Sequence, residues 1–112
     1  MVIVATIKSS NYSTIKKVIV VRASLEDIVF VDDSGEIVFA PAEIVSNDTM
    51  IFKINDVVAR NGDQFLTEMY GWVNKTQLEQ IIIGRIREHA KYTNIRLAKD
   101  FKVDFDQFYK SF

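Results

Sequence analysis

The chain contains no cysteine. This excludes a disulfide scaffold, a thiolate metal site and a cysteine nucleophile, and it suits a reducing, cytoplasmic location. Proline occurs once and glycine four times in 112 residues. With no Pro/Gly/Ser-rich linker, repeat or low-complexity stretch to divide it, the chain is expected to form a single domain over 1–112. Glycine is also too scarce to build a phosphate cradle, and G-x-x-x-x-G-K-[ST], G-x-G-x-x-G and G-x-S-x-G are all missing. No apolar run approaches the length of a membrane span, so no membrane association is expected. The short apolar start Met1-Val2-Ile3-Val4-Ala5 has no basic flank and is followed by Lys8; it reads as a strand and not as a signal peptide.

What is present is an ordinary globular mixture, 48% hydrophobic and 26% charged, which argues against disorder. A domain of this size buries roughly 65% of its unfolded surface, enough for a core without disulfides or metal. Net charge is −1, but it is unevenly spread. Residues 1–73 hold 6 basic and 10 acidic side chains, and residues 74–112 hold 8 basic and 5 acidic. Three N-x-S/T sequons, at Asn11, Asn47 and Asn74, read as turns and a helix start.

The hydrophobic period changes near residues 71–76, from β-rich (1–73) to helical (74–112). Strands are expected at Val2–Ile7, at Thr14–Arg22 around the unbroken run Val18-Ile19-Val20-Val21, at Asp27–Asp32, at Ile37–Phe39 and at Thr49–Ile54. Asp33-Ser34-Gly35 joins two of them as a hairpin, and Pro41 ends the second arm. Ala42–Val45 fits a helical turn or an edge strand. Asn55-Asp56 and Asn61-Gly62 are turns. Residues 65–73 fit either period, and their aromatic content with Gly71 favours strand. Thr76-Gln77-Leu78-Glu79 matches a capping box, opening a helix at about 77–91. Its apolar arc is Leu78, Ile82, Ile83, Ile86 and Ala90, with Gln80, Arg87, Glu88 and Lys91 opposite. Gly84 falls toward the polar side, where only a close approach would require it. Thr93 or Asn94 can cap a short helix holding Leu97, Ala98 and Phe101, and Asp104 a further one with Gln107 in the box position. A strand competes, since Phe101, Val103 and Phe105 alternate with Lys102, Asp104 and Asp106, but alternation fails at 107–109 and helix is preferred after Asp104. The expected fold is therefore α+β: a mainly antiparallel sheet of about residues 2–73 against the helix at about 77–91 and short terminal helices.

No constellation carries catalysis, and neither cofactor nor metal is expected. His89 is the sole histidine and lies in the apolar arc, where a packed ring is the ordinary reading. Asp32, Asp33 and Glu36 could hold a hard cation through oxygens, but they sit where a hairpin turn favours Asp and lack an EF-hand's spacing. Lys75, Arg85, Arg87, Lys91, Arg96, Lys99 and Lys102 recur through the helical part with Tyr92 among them. On a helix Arg85 and Arg87 project about 160° apart, so they form no single stripe. The stretch 97–108 resembles a helix-turn-helix core, with Leu97, Ala98, Phe101, Val103 and Phe105 in its apolar positions. It departs from that motif at Lys102, where the turn has Gly, and at Asp104 and Asp106, which would face phosphates. The alternative function it implies is a nucleic-acid-binding regulator using Arg85, Arg87, Lys91, Arg96 and Lys99.

Five of the last twelve residues are aromatic, too many for a solvated terminus, since each ring removed from water contributes roughly 1.5–3 kcal/mol. Phe105, Phe108, Tyr109 and Phe112 recur at i, i+3, i+4 and i+7. They either complete the domain's own core or lie in a partner's groove or across a second copy. The function expected is a small non-enzymatic binding or regulatory module acting through protein contacts, self-association included. Its contact residues would be Phe105, Phe108, Tyr109 and Phe112, with Tyr70 and Trp72 behind them.

Overall fold

The computed structural model of the protein describes residues 14–23, 30–31, 37–38, 42–93 and 95–112. In chain order the elements are β1 (Ile15–Arg22), β2 (Phe30–Val31), β3 (Ile37–Val38), β4 (Ala42–Ile44), β5 (Thr49–Ile54), β6 (Val57–Asn61), β7 (Gln64–Thr67), β8 (Gly71–Asn74), α1 (Lys75–Thr93), β9 (Leu97–Asp104) and α2 (Asp106–Lys110). The fold is α+β. The expected strand at Val2–Ile7, the turn at 33–35, the acidic trio Asp32, Asp33 and Glu36, and Pro41 lie outside the described residues.

The main sheet has the order β4-β5-β1-β9. Its centre is β1, the strand with the unbroken apolar run. Val18 and Val20 are fully buried, and Ile19 and Val21 on the opposite face are half-buried, as a central strand covered on both sides requires. β1 runs parallel to both neighbours, β5 and β9. The remaining pairings, β2 with β3, β4 with β5, and β6-β7-β8, are antiparallel. Strand β5 alternates as its sequence indicates, with Met50, Phe52 and Ile54 buried. Ala42–Ile44 takes the edge-strand option.

The second sheet is the meander β6-β7-β8. Gly62 (φ +62°) turns β6 into β7, and Gly71 (φ +67°) opens β8 after the turn at 68–70. Both positions lie in the left-handed region that disfavours other residues. Phe65, Thr67 and Val73 point inward, while Leu66 and Trp72 pair across the outer face.

Helix α1 roofs the core with Leu78, Ile82, Ile86 and Ala90, four of the five residues in the arc read from its period. The fifth, Ile83, is half-buried at its margin. Its start differs from expectation. Asn74 Oδ1 accepts from the Gln77 amide at 2.8 Å, and Gln77 Oε1 accepts from the Asn74 amide at 3.0 Å. The capping box is thus Asn74-x-x-Gln77, two residues before Thr76-x-x-Glu79. Asn is the stronger N-cap, and Glu79 is engaged elsewhere by Tyr109. Gly84 is exposed, and open space surrounds the place its Cβ would occupy.

The largest departure is at 97–104. A capped helix holding Leu97, Ala98 and Phe101 is expected there, but the segment is strand β9. It pairs with β1 and is anchored by Ile15 N–H donating to Arg96 O at 2.8 Å. Sheet completion overrides a short local helical pattern. The helix at 106–110 does form, but its N-cap is Phe105, without a side-chain cap, and not the expected Asp104. Asp104 Oδ1 instead accepts from the Asp106 amide at 2.9 Å, ahead of the helix.

Candidate functional site

The aromatic tail folds back onto its own domain. Phe108 is fully buried and Phe105 nearly so. The Phe65 ring lies 6.4 Å from Phe108 and 5.8 Å from Phe112, and Phe108 and Phe112 lie 5.3 Å apart. Cations frame the cluster: Arg22 stands 4.4 Å over Phe112 and Arg60 5.2 Å over Phe65. Arg60 Nη1 also donates to Tyr109 O at 3.2 Å. Of the four tail residues expected to reach a partner, Phe105 and Phe108 are core, Tyr109 is half-buried, and Phe112 is at the edge of exposure. The reason is size: a small domain needs these rings to close its own interior.

The other two expected contact residues are on the surface. Tyr70 and Trp72 expose 56% and 52% of their area, and their neighbour Met69 exposes 72%. Tyr70 and Trp72 line an open groove of about 560 Å³ where the β7–β8 turn meets α1. Thr76, Gln77, Gln80 and Ile81 of α1 form its other wall, with Val73 in its lining. Every residue lining it is uncharged.

Contacts between five pairs of residues hold this turn in place. The Thr67 hydroxyl, buried under the turn, donates to Gly71 O and accepts from the Tyr70 amide, both at 2.9 Å. The Glu68 amide donates to Asp56 O at 3.0 Å. Arg85 binds Asp56 in a fork, with Nη1 at 2.8 Å from Oδ1 and Nη2 at 2.7 Å from Oδ2. Its Nη2 also reaches Met69 Sδ at 3.7 Å. The hydrogen bond to Asp56 raises the guanidinium further above its ordinary pKa. A bidentate, largely shielded pair of this kind fixes geometry as well as charge. The aromatic display therefore stands on a braced turn.

Of the basic residues expected to meet nucleic acid, two are engaged within the domain. Arg85 is committed to Asp56, and the Arg87 guanidinium packs 4.9 Å over the Phe101 ring. Lys91, Arg96 and Lys99 are exposed. Because 97–104 is a strand, the helix pair of a helix-turn-helix is not formed. A different basic group does converge. Lys16 and Lys17 of β1, Lys75 of α1 and Lys102 of β9 line one open pocket of about 590 Å³ with Glu79, Asp104, Asp106 and Tyr109. Lys16 and Lys17 were not singled out from sequence. Only the β1–β9 pairing, which sets Lys17 beside Lys102, reveals the group.

His89 packs against Phe52, ring centroids 5.9 Å apart. Its Nε2 is buried without a hydrogen-bond partner, and burial pushes the imidazole below its ordinary pKa. Among the described residues no group of His, Asp and Glu is placed to hold a metal ion, and no helix is long and apolar enough to cross a membrane. No protein-family description, curated protein or solved structure matches the chain.

Proposed function

We propose that the protein is a non-enzymatic binding module that grips an uncharged, apolar segment of a protein partner with Met69, Tyr70 and Trp72. The observation that supports this is the uncharged groove at the β8–α1 junction, in a chain of which 26% is charged. Aromatic side chains on a rigid support are favoured anchors, because little conformational freedom is lost when they dock. Thr76, Gln77 and Gln80 offer donors and acceptors to a partner's backbone, and Ile81 offers an apolar floor. The partner is a protein, a second copy of this chain included, because nucleic acid would want cations at this face. A cysteine-free chain suits the cytoplasm as its place of action.

Mass measurement by light scattering and binding assays on the full chain test the reading. Tyr70→Ser with Trp72→Ser is expected to leave the far-UV spectrum and melting temperature nearly unchanged. It should abolish self-association, or partner binding where the native chain is monomeric. A double variant that still associates with native affinity would overturn the reading.

A further inference from the structure

We propose that the lysine-lined pocket between β1, β9 and the start of α1 binds a small phosphorylated ligand that also carries hydroxyl groups, such as a sugar phosphate. Three observations carry it. First, Lys17 and Lys102 are register partners on adjacent parallel strands, so like charges stand side by side about 4.8 Å apart at the backbone. Such pairing opposes folding unless something anionic offsets it. Second, among the described residues none of the four ammoniums lining the pocket forms an ion pair, although three carboxylates line the same pocket. Glu79 accepts from the Tyr109 hydroxyl and Asp104 from the Asp106 amide, and Lys75 stands 4.7 Å over the Tyr109 ring. Third, the backbone is distorted to make this arrangement. Between the pairs Ile15↔Leu97 and Lys17↔Lys102, β1 advances two residues and β9 five. Beside this bulge Lys16 and Lys17 are both exposed, breaking the alternation of β1. Bulges that re-aim side chains concentrate at functional sites.

The chemistry follows from the lining. A phosphate with close to two negative charges would sit among Lys16, Lys17 and Lys102, aided by Lys75 in the first turn of the 19-residue α1. Asp106 and the free oxygen of Asp104 would accept hydrogen bonds from ligand hydroxyls. A volume of about 590 Å³ falls in the range of small-molecule sites. The pocket shares no lining residue with the Tyr70–Trp72 groove, so the two sites are independent.

The test is an amide NMR titration of the full chain with ribose 5-phosphate and, separately, with sodium phosphate, ionic strength held constant with sodium chloride. The expected result is saturable shifts at residues 16–17, 75 and 102–106, with ribose 5-phosphate at least threefold tighter. Lys17→Ala with Lys102→Ala should weaken binding at least tenfold. Lys91→Ala with Lys99→Ala, and Tyr70→Ser with Trp72→Ser, should leave it unchanged. If the first double variant does not fold, Lys102→Gln alone replaces it and should weaken binding at least threefold. Non-saturable shifts spread over all lysines, or native affinity after removal of the pocket lysines, would overturn the proposal. Equal affinity for the two probes would overturn the assignment to a hydroxylated phosphate ester.

Discussion

The Tyr109 hydroxyl donates to Glu79 Oε2 at 2.5 Å, tying the last helix to the second turn of α1. Burial first, and then this bond, raise the phenol well above its ordinary pKa. Tyr109→Phe is expected to cost about 1–2 kcal/mol, the range for a hydrogen bond to a charged group at a partly shielded site. The pH dependence follows from the direction of the shift. The unfolded phenol ionises near pH 10 while the folded one stays protonated, so stability is lost as pH rises above about 10. Urea midpoints at pH 8 and 10.5 should fall further apart in the native chain than in Tyr109→Phe.

Phe108 is fully buried against the equally buried Phe65. Phe108→Ala should therefore cost about 3–5 kcal/mol, a large share of the roughly 5–15 kcal/mol that holds such a domain together. Deletion after Lys102 should abolish cooperative unfolding. A truncated chain with a native-like melt would show that the tail is dispensable to the core.

The two possible capping boxes predict opposite results. Asn74→Ala removes the acceptor that holds the Gln77 amide and should cost about 1 kcal/mol. Thr76→Ala, one residue into the helix proper, should change stability by less than about 0.5 kcal/mol. Chemical denaturation of both variants decides between them.

His89 is held neutral by burial beside Phe52. Its folded pKa lies below the unfolded value of about 6.5. Stability is thus intact above that pH and is lost as pH falls, because the unfolded imidazole takes up its proton first. His89→Leu also removes a buried nitrogen without a partner. It should raise stability by about 1 kcal/mol and narrow the gap between urea midpoints at pH 7.5 and 5.5.

Elements governed by local pattern were legible from sequence. β5 follows its alternation, α1 its 3.6-residue period, and Phe105, Phe108 and Tyr109 their helical spacing. Each of these signals lies within one window of the chain. β9 was legible only in part: Phe101, Val103 and Phe105 alternate with Lys102, Asp104 and Asp106 as a strand would, but what decides against a helix at 97–101 is pairing with β1, some 80 residues earlier. For the same reason Lys16 and Lys17 could not be joined to Lys75 and Lys102. Tyr70 and Trp72 were named from their ring chemistry, but the groove beside them depends on how α1 leaves β8. The exposure of Met69 at the 68–70 turn was not legible either, because a turn leaves no periodic signature. Asn74 marked a helix start as a sequon residue, yet the box it forms was read two residues late, since Thr76-x-x-Glu79 has the same pattern.

The most direct test of the account is photo-crosslinking in cells that produce the protein, with benzoylphenylalanine placed at Trp72 and, as a control, at Lys91 on the exposed side of α1. The account predicts one discrete protein adduct from position 72, suppressed by Tyr70→Ser, and none from position 91. No adduct from position 72, or the same adducts from both positions, would contradict it.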